Sequence, residues 1–190
     1  SDRWQAAGDR VANFNSANKH VKRGIGVASC WYGCGNTALP NPSTVRLGIT
    51  PQGELRLHQG ATDIGQGANT VITQICADAL GISLVDFELI GPDTALTPDC
   101  GKTSASRQTF ITGKAAELSG RALRRDILRL SNMDDGATLR LEGSKIIISG
   151  DVDTQHIELS DMPVDAFGYV LRAEESFDPQ TKPLDKDGKK

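Results

Sequence analysis

The segment His58-Gln59-Gly60-Ala61-Thr62-Asp63-Ile64-Gly65-Gln66-Gly67-Ala68-Asn69-Thr70 decides how the first half of this chain folds. A short run from Glu54 to His58 predicts a strand leading into it, and a pattern with helical spacing follows from Ala68 to Leu80. Gly65 and Gly67 permit a tight turn between the two. This order predicts free backbone N–H groups and the positive end of a helix dipole at one place, where phosphate or another electron-rich group can bind.

Three polar side chains lie in this segment, and we expect different roles for them. Gln66, between the two glycines, can both donate and accept a hydrogen bond, which suits the edge of a heterocycle or an oxo group. Asp63 is expected to brace the loop by accepting bonds from nearby backbone N–H groups. His58 is a single histidine at a strand end, and a structural role is the commoner one for such a residue.

Two familiar nucleotide-binding motifs fail in this chain. The dinucleotide-binding fingerprint Gly-x-Gly-x-x-Gly requires a glycine where this sequence has Thr70. Gly101-Lys102-Thr103 resembles the end of a phosphate-binding loop, but the earlier glycine is replaced by Leu96. The sequence therefore supports neither an ordinary NAD site nor a nucleoside triphosphatase.

Composition excludes several classes of protein. Of the 190 residues, 38% are hydrophobic and 24% are charged, which is typical of a globular domain, and the net charge is −3. That charge gives no electrostatic reason to expect binding to nucleic acid or to an anionic membrane. The sequence contains no apolar run of about 18 residues, so we expect no membrane span.

The four cysteines do not form a convincing metal site. Cys30 and Cys34 make a single C-x₃-C pair with no second pair and no histidine nearby. Cys76 falls on the apolar face of the predicted helix, where a free cysteine acts as a small hydrophobe. Unpaired thiols of this kind fit a reducing, cytoplasmic location better than a disulfide-linked scaffold.

The remaining periodicities predict an α+β fold with mixed sheets, hairpins and two main helices. The predicted helices cover residues 4–22, 68–80 and 107–130, with Gly81 ending the second. The predicted strands cover residues 23–32, 43–50, 54–58, 86–90, 138–142, 145–149, 155–159 and 169–177. The composition near residues 132–135 suggests a division into a core segment, 1–132, and a hairpin and extended segment, 133–190. We also expect the chain to be a piece of a longer polypeptide.

A second loop strengthens the prediction of a ligand site. Thr103-Ser104-Ala105-Ser106 supplies three hydroxyl groups immediately before the third helix, whereas a helix N-cap needs only one. Arg107 follows and could meet a phosphate. Two small-residue loops that each precede a helix can converge on one ligand, so a phosphate- or pterin-binding site is favoured over two unrelated caps.

At these residues the chain resembles the molybdopterin-binding large subunit of the molybdenum hydroxylases, the family of xanthine dehydrogenases and aldehyde oxidases. Asp63-Ile64-Gly65-Gln66-Gly67 is similar to the family's Gly-Gln-Gly pterin loop. The segment from Thr103 to Gln108 is similar to its second pterin loop, including the Ser-Arg-Gln ending of bacterial aldehyde-oxidising members. Upstream, residues 14–18 and 22–25 resemble the segment that leads into this domain.

The resemblance implies that the ligand is molybdopterin with molybdenum, in the cytosine dinucleotide form found in bacteria. Molybdenum would be held through the pterin sulfurs near Gln66 and not by protein ligands. The residues implied to bind the cofactor are Ile64, Gly65, Gln66, Gly67, Thr103, Ser104, Ala105, Ser106 and Arg107. The implied reaction is hydroxylation of an aldehyde or a purine-like N-heterocycle with oxygen from water.

The resemblance also implies what this chain does not supply. The general-base glutamate of the family lies in a glycine-rich context that is not found here, so no catalytic residue is assigned, and Glu174 and Glu175 are not candidates. Iron–sulfur and flavin domains or subunits, the rest of the molybdopterin subunit and a small-molecule substrate would be the partners, in an oligomeric enzyme. The chain alone is expected to be inactive. The alternative is a non-catalytic assembly domain that docks a partner subunit.

Overall fold

The structure, a computed structural model, describes residues 2–30, 39–104, 106–183 and 185–187. Within these residues, three α-helices and seven strands are the main elements. The helices are α1 (Asp2–Ala17), α2 (Ala68–Leu80) and α3 (Gly113–Ser131), and α3 is preceded by a π-helical turn (Gln108–Thr112). The strands are β1 (Ser43–Ile49), β2 (Leu55–His58), β3 (Phe87–Ile90), β4 (Thr138–Glu142), β5 (Lys145–Ser149), β6 (Thr154–Glu158) and β7 (Leu171–Phe177).

The chain divides into two compact units, Ser1–Gly33 and Cys34–Lys190. The first unit contains α1, none of whose residues is buried, and a segment without regular structure over residues 19–30. The predicted helix over residues 4–22 ends earlier than expected, at Ala17, because polar side chains satisfy its last carbonyls. Asn18 Nδ2 donates to the carbonyl of Phe14 at 2.8 Å, and Lys22 Nζ donates to the carbonyl of Asn15.

The strand predicted over residues 23–32 is wrong in its described part. Residues 23–30 form no strand, and residues 31 and 32 lie outside the described residues. Gly24 and Gly26 have no atoms within 4 Å of where a Cβ would lie. A strand requires a neighbouring strand to satisfy its backbone, and the described part of this segment has none; the backbone of Arg23 bonds instead to the side chain of Asn15.

The second unit is built around a four-stranded mixed sheet with the order β3-β2-β1-β7. β1 is antiparallel to β2 and, over seven residue pairs from Ser43↔Phe177 to Ile49↔Leu171, to β7. β2 is parallel to β3, and α2 forms the crossover between them. β1 alternates as predicted, with Val45, Leu47 and Ile49 all 0% exposed.

A smaller three-stranded antiparallel sheet follows, with the order β4-β5-β6. The hairpin predicted around Gly143 and Ser144 is confirmed by the pairing of β4 with β5 from Thr138↔Ser149 to Glu142↔Lys145. Ile146 and Ile148 of β5 are 0% exposed and join the same hydrophobic core as β1 and β2.

Both main helices cover the larger sheet and pack on each other. Ile72, Cys76 and Leu80 form the fully buried stripe of α2, and Ala115, Ala122 and Ile127 belong to that of α3. Gly81 ends α2 in the left-handed conformation, with a φ of 80°, as predicted. The α+β prediction, with mixed sheets, hairpins and two main helices, is therefore confirmed. The division into 1–132 and 133–190 stays a prediction.

Candidate functional site

The first glycine-rich loop, residues 62–67, is held by a carboxylate. Asp63 accepts hydrogen bonds from the backbone N–H groups of Gly65 (2.8 Å), Gly67 (3.3 Å) and Asn69 (3.1 Å). These bonds, the one from Asn69 above all, hold the pKa of Asp63 below its usual value. The expected bracing role of Asp63 is confirmed.

This arrangement corrects one expectation about the start of α2. The sequence predicted free N–H groups there, but the N–H groups of Gly65, Gly67 and Asn69 already bond to Asp63. A negative side chain also sits at the positive end of the helix dipole. The start of α2 is thus already occupied by an internal anion and is a poor place for a phosphate.

The glycines keep the outer side of the first loop open. Gly65 has a φ of 103° and Gly67 a φ of 80°, conformations that other residues rarely adopt. No atom lies within 4 Å of a Cβ built at either position. Ile64 at the tip is 74% exposed, and Gln66 Oε1 accepts the Ile64 N–H at 2.7 Å. The loop therefore has a fixed backbone with one open side.

The second loop, residues 101–107, enters α3 through unusual backbone. Ser106 has a φ of 57°, one of two non-glycine residues with positive φ in the described part of the chain. Such strain persists only where surrounding structure imposes it, and it clusters at ligand sites. The helix predicted from residue 107 opens with a π-helical turn, in which the Gly113 N–H donates to the carbonyl of Gln108. Ala105 lies outside the described residues.

Arg107 is buried and its guanidinium is fully used by the protein. Nε donates to Asn41 Oδ1 at 2.7 Å, and the two terminal nitrogens donate to the carbonyls of Asn41, Pro42, Cys100 and Lys102. The side chain is 5% exposed, and burial lowers its pKa. In this geometry Arg107 fixes the backbone on both sides of the second loop.

A direct hydrogen bond brings the two loops together. Thr103 Oγ1, in the second loop, donates to the carbonyl of Thr62, at the start of the first, at 2.8 Å. The residues are 41 positions apart in the sequence. The two loops that the sequence selected separately are therefore neighbours, while the roles of their residues toward a ligand stay a prediction.

A pocket of about 280 Å³ lies beside the second loop. Its polar groups are hydroxyls, amides and cations, and among the described residues no carboxylate side chain lines it, a composition suited to an anionic ligand. Phe110, 62% exposed, adds an aromatic face. The pocket is lined by Asn41, Lys102, Ser104, Ser106, Arg107, Phe110, Ile111, Pro179, Gln180 and Thr181.

His58 has the structural role that was expected. Its Nδ1–H donates to the carbonyl of Leu96 at 3.0 Å, and its Nε2 bonds to the hydroxyl of Tyr169. The ring is 7% exposed, and burial lowers its pKa. The imidazole thus holds the loop around residue 96 against the sheet, and it does not line the pocket described above.

The cysteines also follow the structural expectation where they are described. Cys76 is 0% exposed, and burial raises the pKa of its thiol to about 12. Cys34 lies outside the described residues, so the Cys30–Cys34 pair is not tested. Within the described residues, no group of three or more His, Cys, Asp or Glu side chains could hold a metal ion.

Two supporting residues, Gln59 and Cys100, were missed by sequence reasoning, and Gln108 was quoted only as the end of the Ser-Arg-Gln motif, without a role. Gln59 is 0% exposed, and it bonds to the backbone of Ala61 and the side chain of Asn69. The Cys100 thiol accepts the Gly60 N–H at 3.0 Å and donates to the carbonyl of Thr44 at 3.1 Å. Gln108 lies under the second loop. A glutamine next to a glycine turn is the sequence signal that could have identified Gln59.

Comparison with known proteins places the chain in a family. The model of a family described as molybdopterin cofactor-binding domain matches residues 2–190. The putative xanthine dehydrogenase molybdenum-binding subunit XdhA of Escherichia coli is 29% identical over 185 residues, 92% of this chain and 24% of that protein. The aldehyde oxidoreductase of Megalodesulfovibrio gigas is 28% identical over 120 residues, 62% of this chain and 13% of that protein.

The fold is also shared with a solved structure. The aldehyde oxidoreductase of Desulfovibrio desulfuricans superimposes with a TM-score of 0.56 at 22% identity, over 83% of this chain and 15% of that one. This chain thus spans about a quarter or less of these proteins. The match over residues 2–190 confirms the resemblance stated from the two loops, and the chain belongs to the molybdopterin cofactor-binding domains of the xanthine dehydrogenase and aldehyde oxidoreductase type.

Proposed function

We propose that this chain forms part of the pterin-binding site of a molybdenum-dependent oxidoreductase. The observation that carries the proposal is the hydrogen bond from Thr103 to the Thr62 carbonyl, which places the two loops side by side. The family match gives the ligand class, molybdopterin. When bound, the cofactor would supply the hydroxylation of an aldehyde or an N-heterocycle with oxygen from water.

The two loops would have different tasks. The first loop carries Asp63 at the helix start, so it suits the neutral, polar edge of the pterin, contacted by Ile64, Gly65, Gln66 and Gly67. The second loop adjoins a pocket lined by Lys102, Ser104 and Ser106, which suits phosphate. Thr103 and Ala105 would complete the second contact. Arg107 would act by holding the loop.

The pocket beside the second loop supports the cytosine dinucleotide form of the cofactor. Its hydroxyls and lysine could bind the phosphates, and the exposed ring of Phe110 offers a surface on which a planar base can stack. Plain molybdopterin would leave this aromatic face without a ligand. The dinucleotide form is therefore our proposal for the cofactor.

The activity would belong to the complete protein. This chain covers 24% of the E. coli molybdenum-binding subunit. We propose that the family's general-base glutamate lies outside this chain. We propose that the rest of the molybdopterin subunit and iron–sulfur and flavin domains or subunits are the partners, in an oligomeric cytoplasmic enzyme, and that this piece alone is inactive. The family match does not favour the alternative of a non-catalytic assembly domain.

Metal and nucleotide analysis of the full-length parent protein tests the proposal. We expect about one molybdenum atom and about one released cytidine monophosphate per chain in freshly purified, folded protein. Molybdenum without the nucleotide would leave the pterin proposal standing and reject the dinucleotide form. Folded protein from a host that makes the cofactor, containing neither, would overturn the proposed function.

A pair of glutamine variants tests the role of the first loop. Gln66→Ala in the parent protein should lower molybdenum content severalfold with little change in thermal stability, because the side chain is exposed and its bonds are local. Gln52→Ala, in the exposed turn between β1 and β2, is the matched control and should keep full molybdenum content. Equal molybdenum content in both variants would contradict the contact that we assign to Gln66.

A further inference from the structure

Gln108 lies beneath the second loop; it ends the Ser-Arg-Gln motif, but sequence reasoning assigned it no role. It is the first residue of the π-helical turn, and its side chain is 4% exposed. A glutamine that is buried this deeply needs partners for its amide, since an unsatisfied buried amide is costly. Both ends of the Gln108 amide have such partners.

These partners form a continuous chain of hydrogen bonds from the sheet to the loops. Ser43 Oγ, 0% exposed at the start of β1, lies 2.7 Å from Thr112 Oγ1. Thr112 Oγ1 bonds to Gln108 Oε1, and Gln108 Nε2 lies 3.2 Å from Thr103 Oγ1. Thr103 Oγ1 then donates to the Thr62 carbonyl at 2.8 Å.

The acceptor at the Thr62 end of this series of hydrogen bonds determines the direction of every bond in the series. The Thr62 carbonyl can only accept, so the single hydroxyl proton of Thr103 is used there. Thr103 must then accept from the Gln108 amide nitrogen, which turns the Gln108 oxygen toward Thr112. The Thr112 proton goes to that oxygen, so Ser43 donates to Thr112. All donors thus point from the sheet toward the loops, an order in which neighbouring bonds strengthen one another.

Gln108 is the member of this chain whose loss would release the second loop. Its amide nitrogen also lies 3.5 Å from the carbonyl of Gly101, at the start of the loop, two residues before Thr103. Without that nitrogen, the Thr103 hydroxyl loses the donor that orients it toward Thr62. The Thr103 hydroxyl, which joins the two loops, then no longer has a fixed orientation.

We infer that Gln108 is a positioning residue that sets the spacing of the two cofactor loops through Thr103, without touching the cofactor. This inference rests on the proposed function. It assigns to a buried side chain a role in how long the cofactor stays bound, separate from its contribution to folding.

The test measures cofactor loss in the full-length parent protein. The readout is the first-order rate constant of molybdenum release during dialysis. Each variant is measured at the same number of degrees below its own melting temperature. Gln108→Met has a similar size and no hydrogen-bonding amide, and we expect release to be roughly five- to tenfold faster, the effect of one oriented hydrogen bond.

Two further variants separate positioning from folding. Ser119→Ala removes a buried hydrogen bond, from Oγ to the Val45 carbonyl at 2.9 Å, that does not touch either loop. We expect it to lower the melting temperature while molybdenum release stays at the wild-type rate. Thr103→Val should speed release as well, and adding Gln108→Met to it should speed release no further, because both act through the same hydroxyl.

Each result distinguishes a positioning role of Gln108 from a role in folding alone. Release at the wild-type rate in Gln108→Met, or effects of Gln108→Met and Thr103→Val that multiply, would overturn the inference while leaving the proposed function intact. If Gln108→Met does not fold, wild-type release in Thr103→Val overturns it in the same way. Wild-type parent protein that is folded and contains no molybdenum would overturn the proposed function and the inference together.

Discussion

The buried ring of His58 makes the stability of this fold depend on pH. Its neutral form donates from Nδ1 to Leu96 and can accept the Tyr169 hydroxyl proton at Nε2, and burial keeps its pKa below 6.5. His58 therefore binds a proton more readily in the unfolded chain than in the folded one. The His58 contribution is therefore complete above about pH 6.5 and is lost progressively as the pH falls from there toward the lower, folded-state pKa.

Urea unfolding between about pH 7 and about pH 5 tests this dependence. We expect the free energy of unfolding to decrease with acidification, and the decrease to be smaller in His58→Gln, which cannot titrate. His156→Gln, at an exposed position in β6, is the control and should keep the wild-type pH dependence. An unchanged slope in His58→Gln would show that other groups cause the acid sensitivity.

Asp63 is the residue that orders the first loop. Asp63→Asn retains one oxygen acceptor where the carboxylate has two, and the loop uses both, Oδ1 for Gly65 and Gly67 and Oδ2 for Asn69. We expect the amide hydrogens of these residues to exchange severalfold faster in the variant, because local opening becomes easier. Amide exchange followed by NMR measures this. Protection equal to that of the wild type would contradict the capping role.

At the scale of elements, the two main helices approach each other closely at Gly120 of α3. A Cβ at this position would lie 2.8 Å from the Cys76 carbonyl oxygen and 2.9 Å from the Ala79 Cβ. Backbone cannot move aside as a flexible side chain can. Gly120→Ala should therefore lower the free energy of unfolding by about 1–3 kcal/mol despite the better helix propensity of alanine.

The matched control for this prediction is Gly8→Ala in α1. No atom lies within 4 Å of a Cβ at Gly8, so only helix propensity changes there, by about 1 kcal/mol in favour of the helix. We expect the helical content of α1 to rise by circular dichroism and the unfolding midpoint of the second unit to stay constant. A Gly120→Ala protein that is as stable as the wild type would show that α2 and α3 can separate slightly without cost.

The start of α3 shows how an element serves the site. The π-helical turn contains Gln108 and Thr112, and their side chains bond across it. A regular helix from residue 107, as the periodicity predicted, would place these side chains differently. The element therefore departs from its regular form at the position where the second loop is supported.

At the scale of the whole molecule, the larger sheet depends on a strand from the end of the chain. β7 pairs with β1 over seven residue pairs, and Arg46 of β1 bonds to Glu174 of β7 across 128 positions. Leu171 and Ala173 of β7 belong to the hydrophobic core. β1 lies between β2 and β7, so it loses half of its backbone partners if β7 is removed.

A pair of truncations tests this dependence. A chain that ends after Met162 lacks β7, and we expect it to lose cooperative unfolding, since the loss of several core side chains and a strand exceeds the usual stability of about 5–15 kcal/mol. A chain that ends after Pro183 keeps β7 and should unfold as the wild type does. Urea titration followed by far-UV circular dichroism distinguishes them. A cooperative transition in the shorter chain would show that β7 is dispensable.

Local patterns predicted most of the regular elements correctly. The apolar spacing and Gly81 gave α2 its observed bounds, Ala68–Leu80, because helix periodicity and a left-handed glycine cap act over a few residues. The hairpin of β4 and β5 followed from alternation around Gly143 for the same reason. The strand over residues 23–32 failed, since β-branched residues and glycines do not reveal whether a partner strand exists.

The sequence by itself determined the fold class, the two loops and their family, because glycine turns, hydroxyl clusters and apolar periods are local properties of the chain. Only the tertiary structure decided what those groups bind. Asp63 fills the start of α2, Arg107 is used by carbonyls, and Thr103 meets Thr62 across 41 positions. These contacts depend on long-range burial and on which donors remain unsatisfied after folding, and no short stretch of sequence specifies either.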